Sequence, residues 1–218
     1  MTNYILDSKI LEPLSKEKPK KVIILCHGYG GDGNDISLLA INWQRFIPDA
    51  IFLCPNGPEP CSINPQGFQW FDLSEEKEEI ILEKSLEAEK KLIFFLDQVL
   101  DNYHLQPKNM ALVGFSQGSM ISIQAGLKNK KEINCVLGYS GKVINQKHLL
   151  KHIKSKPKFF LMHGDSDTIV PPTHLLEAKE FFANYGIKIK TKLFKNCEHR
   201  IPVEGSSLGL EFLRKNLL

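Results

Sequence analysis

A chain of 218 residues, 42% hydrophobic and 24% charged, has material for the core of one soluble α/β domain, taken as residues 1–218. Its 28 Lys and Arg against 25 Asp and Glu leave a net charge of +3, scattered rather than striped, which argues against a nucleic-acid partner. No apolar run approaches the roughly 18 residues of a membrane span, which argues against stable membrane insertion.

The first stretch, "MTNYILDSKILEPLSKEKPKK", has no basic segment followed by an apolar one, so no signal peptide is expected. The first strand follows over 20–28, "KKVIILCHG", and leads into the loop "HGYGGDGND" and a helix near 35–46. A second strand over 49–56 opens a long loop, "PNGPEPCSINPQGFQWFDL", before a helix over 83–103. Strand 109–116 is followed at once by a helix over 117–128, strand 133–140 by a helix near 145–153, and strand 158–165 by "HGDSDTIVPP" and a helix over 173–185. A last strand over 188–195 gives "NCEHRIP" and a helix near 205–216. The middle strands are apolar throughout, as for parallel strands buried on both faces. The alternation predicts a doubly wound, mostly parallel sheet flanked by helices. In such sheets the chemistry collects in the loops after the strands. The five cysteines, Cys26, Cys54, Cys61, Cys135 and Cys197, are odd in number and lack paired spacing. They read as reduced thiols and point to a cytoplasmic location.

The loop sequences raise one question first. Two segments match the G-x-S-x-G pattern of a strained nucleophile turn, Gly114-Phe115-Ser116-Gln117-Gly118 and Gly205-Ser206-Ser207-Leu208-Gly209. Ser116 follows a strand and precedes a helix, which is the context that turn requires. Ser207 follows no strand and reads as part of a helix start. A triad running Ser, then acid, then His can be completed after Ser116 but not after Ser207, which no Asp or His follows.

A serine hydroxyl needs a base. His148 and His152, four apart, lack the Glu of a zinc helix and read as exposed positions on a Lys-rich helix, so no metal is expected. His174 follows Pro171-Pro172 at a helix start. His199 lies in the loop after the last strand, where this architecture delivers a base. The acid belongs to "HGDSDTIVP", where Asp165 and Asp167 both qualify by spacing and both also suit turn chemistry. The anion of a tetrahedral intermediate needs N–H donors. One is the backbone of Gln117, and another comes from "HGYGGDG", which is neither a phosphate-binding P-loop nor a calcium loop.

Taken together, "CHGYGGDGND", "PNGPEP", "QWFDL", "GFSQG", "HGDSDTIVP" and the late "EH" resemble the phospholipase/carboxylesterase family of α/β-hydrolases, which includes acyl-protein thioesterases. The glycine-rich loop looks most like the bacterial carboxylesterase form, and Gln69 stands where an arginine is common. The resemblance implies an α/β-hydrolase fold with no large cap domain and no cofactor. It implies Asp167 as the acid, the Tyr29 backbone as the second oxyanion donor, and a structural role for His163. Implied substrates are small esters and acyl thioesters, with acylated proteins and lysophospholipids among them, acted on by a monomer or homodimer.

Trp70, Phe71 and Leu73 of the long loop, with Ile169 and Val170, are expected to wall an acyl-binding groove over the catalytic face. The rival expectation is a satellite cluster beneath that loop. The functional alternatives are a hydrolase-fold binding or scaffold protein with weak catalysis, and a lysophospholipase. A dienelactone-type hydrolase would need cysteine where Ser116 stands.

Overall fold

A computed structural model describes residues 4–74 and 77–217, so the very ends of the expected 1–218 domain lie outside the described residues. In chain order the elements are β1 (Ser8–Leu11), β2 (Lys21–Cys26), α1 (Gly33–Gln44), β3 (Ala50–Pro55), β4 (Glu59–Pro60), β5 (Phe68–Gln69) and α2 (Glu78–Tyr103). Then follow β6 (Met110–Phe115), α3 (Gln117–Lys128), β7 (Cys135–Tyr139), α4 (Gln146–Leu150), β8 (Lys158–Gly164), α5 (Thr173–Asn184), β9 (Ile189–Phe194) and α6 (Val203–Leu217).

Seven strands form one sheet in the order β1-β3-β2-β6-β7-β8-β9. Only β1 runs antiparallel, against β3, and the remaining pairs are parallel. Strands β2, β3 and β7 are buried at every residue, which explains their unbroken apolar runs. Alternation along β2 divides the core. Val22, Ile24 and Cys26 face the layer that holds Leu92, Phe95 and Ile121 of α2 and α3. Ile23 and Leu25 face Leu39 and Trp43 of α1 and Leu213 of α6. Helix α3 is buried along its whole length. Its Lys128 pairs with Glu89 of α2 at 2.8 Å, both side chains under a tenth exposed, and Gln124 donates to the same carboxylate.

The expected strands and helices are present with shifted ends. Helix α2 starts at Glu78 rather than 83, α4 stops at Leu150, and α6 begins at Val203. Ser207 therefore sits inside α6, its hydroxyl donating to the Val203 carbonyl one turn back, and does not open the helix. Strand β1 and the two-residue ribbon β4-β5 were not expected.

Candidate active site

The strand β6 ends at Phe115 and α3 starts at Gln117, so Ser116 alone makes the turn. Its backbone is at φ 53°, ψ −119°, a conformation that costs a non-glycine residue about 1–3 kcal/mol. The surroundings hold it there: the Ser116 N–H donates to the Tyr139 carbonyl of β7, and the Ser116 carbonyl accepts from Ser119 and Met120. The flanking glycines are required by crowding. A Cβ on Gly114 would strike the Gly118 carbonyl, and one on Gly118 would strike the Cys26 carbonyl of β2.

His199 Nε2 lies 2.9 Å from Ser116 Oγ, and His199 Nδ1 lies 2.7 Å from Asp167 Oδ2. The imidazole packs at 4.9 Å between centroids against Phe115, the residue before the serine. Three residues from the ends of β6, β8 and β9 thus form one hydrogen-bonded chain across 83 positions of sequence. Asp167 is buried, and its other oxygen accepts from the Ile169 and Val170 N–H groups. Burial pushes its carboxyl upward, but the Val170 N–H, His199 and the Ile169 N–H outweigh that and hold it below the usual carboxylate range. Asp165 faces solvent and accepts from Ser166, two residues from the network and not in it. Glu204 pairs with Lys192 instead. An acid, an oriented imidazole and a hydroxyl in this order can raise the nucleophilicity of the hydroxyl.

The glycine-rich loop lies against the serine. A Cβ on Gly28 would sit 3.3 Å from Ser116 Cβ, which brings the Tyr29 backbone beside the nucleophile. Gln117 is the first residue of α3, and the first N–H groups of a helix have no acceptor within it. Its side chain makes a fixed bridge: Oε1 accepts from the Trp70 N–H and Nε2 donates to the Phe71 carbonyl.

That bridge changes the reading of the long loop. Trp70 and Phe71 are 0% exposed, so they do not wall an open groove. Trp70 instead donates its indole N–H to the His27 carbonyl beneath the glycine-rich loop. Val170 is buried in the same core layer, Leu73 packs against it half-buried, and Ile169, 69% exposed, faces solvent. Nor do Trp70 and Phe71 form a separate satellite cluster: both belong to the main core layer with Ile24, Leu92 and Phe95. An open cavity of about 420 Å³ does reach the site, lined by Tyr29, Ile36, Phe115, His199 and Ile201 among others.

Several contributors carry no sequence signal of their own. His27 is buried. Its Nε2 accepts the Gly57 N–H, so Nδ1 bears the proton and donates to the Gly28 carbonyl at 2.7 Å. Burial holds this imidazole below its ordinary value despite the Gly28 carbonyl, Asp32 and Asp35. The ribbon β4-β5 grips the same loop, with Gly30 N–H donating to the Phe68 carbonyl, Phe68 N–H to the Gly31 carbonyl, and the Asn64 amide to the Gly30 carbonyl. His148 and His152 stack on each other at 4.2 Å, with His152 past the end of α4, and His148 is only half exposed.

A model of the phospholipase/carboxylesterase family matches residues 9–217. The chain belongs to that family. Acyl-protein thioesterase 1 of Kluyveromyces lactis is 28% identical over 220 residues, covering 93% of this chain and 95% of that protein. Esterase YpfH of Escherichia coli is 26% identical over 210 residues, covering 92% and 85%. Among solved structures, esterase PE8 superposes with a TM-score of 0.93 at 32% identity over 97% of this chain and 99% of that one. Zea mays acyl-protein thioesterase 2, at 20% identity and a TM-score of 0.78, shares the fold. This family member is an α/β-hydrolase, a carboxylesterase- and thioesterase-like enzyme whose architecture shows no cap domain among the described residues.

Proposed function

We propose that the protein is a serine hydrolase that cleaves carboxylic esters or acyl thioesters through Ser116, His199 and Asp167. The observation that carries this is the alignment Ser116 Oγ, His199 Nε2, His199 Nδ1, Asp167 Oδ2, with successive contacts of 2.9 and 2.7 Å. His199 takes the Ser116 proton as Oγ bonds to the acyl carbon. The oxygen that gains negative charge is stabilised by the Tyr29 and Gln117 N–H groups, aided by the N-terminal end of α3. The bond from acyl carbon to leaving oxygen or sulfur then breaks, and His199 hands its proton to that atom. Water, deprotonated by the same imidazole, attacks the Ser116 ester and releases the acid. Asp167 keeps the imidazole in the reactive tautomer and offsets its charge while it holds the proton.

All five cysteines are free and buried, which supports a reducing, cytoplasmic setting. The esterase and thioesterase names of the relatives support both leaving atoms. Labelling by a fluorophosphonate probe tests the nucleophile: wild type should label and Ser116→Ala should not, and equal labelling of both would end the proposal. A panel of p-nitrophenyl esters, palmitoyl-CoA and an S-acyl peptide then separates ester from thioester preference. A scaffold protein would hydrolyse none of them.

A further inference from the structure

We infer that the leaving-group chain of the substrate lies in a groove between α1 and α6, and that this groove selects an unbranched apolar alcohol or thiol chain. The inference rests on the reading of Ser116 as nucleophile. The groove holds about 1050 Å³ and is the largest of the cavities described. It is not separate from the site: Asp35, Ile36 and Ile201 line both it and the cavity that contains His199.

Its origin is local. Helices α1 and α6 both pack on the same face of the sheet, through Leu39, Trp43 and Leu213. Between them α6 presents the small residues Ser206 and Ser207, which leave a trough rather than an interlocked seam. The floor is fixed, because the Trp43 indole N–H donates to both the carbonyl and the hydroxyl of Ser206. The rim carries apolar side chains left to water: Leu38 is 64% exposed and Val203 is 86% exposed. Apolar side chains left exposed at a cavity are expected to be covered by a ligand or partner, here beside Arg45, Glu211, Arg214 and Lys215, which also line it.

Two facts pick the occupant. The trough meets the cavity of His199 at Asp35, Ile36 and Ile201, so a chain that fills it can be attached to the reacting centre. And the junction includes Ile201, two residues after the imidazole that must deliver a proton to the leaving atom. The chain attached to that atom is therefore the one directed into the trough. From Val203 to Lys215 along α6 the lining runs about 18 Å at the helical rise per residue, so an extended octyl chain fits within it.

The test uses the whole protein and two ester series followed by pH-stat: acetyl esters of linear alcohols from ethyl to octyl, and ethyl esters of linear acids over the same lengths. In wild type, kcat/KM should rise along the alcohol series by up to about fourfold per methylene, the fold-change equivalent of about 0.8 kcal/mol per buried CH₂. Ser207→Trp, which fills the trough, should flatten the alcohol series and leave the acyl series with its wild-type slope. Phe46→Asp, at the far rim, should reduce the same slope and serves if the tryptophan variant does not fold. A flat alcohol series in wild type overturns the inference. So does an acyl series that flattens instead. A dimer in sedimentation velocity that Ser207→Trp splits, with both slopes unchanged, would make the groove a contact between copies of the chain and also overturn it. Hydrolysis that survives Ser116→Ala would sink the catalytic reading itself, a result distinguishable from a flat series with Ser116-dependent hydrolysis.

Discussion

His163 Nε2 lies 3.3 Å from Asp167 Oδ2, the same oxygen that His199 approaches at 2.7 Å. His163 Nε2 is also 2.7 Å from the Val170 carbonyl, which can only accept, so that nitrogen carries the hydrogen. Burial holds His163 below its ordinary value, although the Val170 carbonyl and Asp167 pull the other way. A neutral imidazole thus gives its hydrogen to the Val170 carbonyl and lies against the carboxylate on one side, while His199 bonds that carboxylate from the other. We expect His163 to act as a positioning residue that sets where the carboxylate sits and so where His199 points.

Removing it should misplace Asp167 without touching the nucleophile. His163→Ala should lower kcat up to about tenfold, the range for a lost neutral hydrogen bond that holds the loop of the acid, with KM little changed. His163→Gln, which can offer an N–H to both acceptors, should recover part of that loss. A merely structural role would instead lower the unfolding temperature in both variants and leave kcat of the folded fraction intact.

Ser116→Ala should reduce kcat on the order of 10⁴-fold or more while leaving thermal unfolding close to wild type, because only a hydroxyl is lost. His199→Ala should match it, and the double variant should be little worse than either. Losses that multiply would show that the two residues do not act in one step.

The elements most legible in the sequence were those whose apolar runs are long and wholly buried. Helix α3 occupies the expected 117–128, since the elbow fixes its start and burial covers its length. Strand β1 was not legible: Ser8–Leu11 is a half-exposed edge of four residues with one polar and one apolar residue on each face, so no alternation marks it. The ribbon β4-β5 has two residues per strand, too few for any periodicity. Ser116, Asp167 and His199 could be chosen from chain order, the loops they occupy and a family resemblance. His27 and His163 could not, because what defines them is burial against segments that composition cannot place. Trp70 and Phe71 show the same limit. An aromatic pair in a Pro- and Gly-rich loop reads equally as groove wall or core plug, and the Gln117 bridge that turns it inward is a long-range contact.

Acid should destabilise the fold through its buried histidines. His27 and His163 both have lowered values in the folded state, so the unfolded chain takes up their protons first, near its ordinary value of about 6.5. The unfolded state then binds more protons than the native state, and stability falls as pH falls through that value. Asp167, also lowered, acts with the same sign in more acidic solution. Urea midpoints should be flat above about pH 7 and drop between about pH 6.5 and 5, less steeply in His163→Gln. A midpoint that rises on acidification would refute this.

The pair Glu89–Lys128 ties α2 to α3 in a buried setting. Lys128→Met alone strands a buried carboxylate and should cost about 3–5 kcal/mol. Glu89→Leu with Lys128→Met should be near neutral, because both charges leave together. Urea unfolding of the single and double variants checks this, and equal losses in the two would contradict it.

The remaining test concerns the two aspartates of one loop. Asp167 accepts from His199, Ile169 and Val170, whereas Asp165 is exposed and accepts from Ser166. Asp167→Asn keeps the shape but replaces an acceptor with an amide. If its NH₂ faces His199, Nδ1 must lose its proton and Nε2 gain one, which is the wrong tautomer for taking a proton from Ser116. The same change in a serine protease triad lowers kcat about 10⁴-fold, and a comparable loss is expected here. If the amide oxygen faces His199 instead, the NH₂ group is turned toward the Ile169 and Val170 N–H groups, so two donors lose their acceptor and stability falls by about 1–3 kcal/mol. Asp165→Asn retains an acceptor for Ser166 at the surface and should cost at most about 1 kcal/mol, with activity close to wild type. Both variants should be assayed for kcat at one pH, with thermal unfolding as the folding control. An inactive, folded Asp165→Asn beside an active Asp167→Asn would reverse the assignment. Small, equal losses would remove both from the triad and return attention to Glu198, the residue before the catalytic histidine.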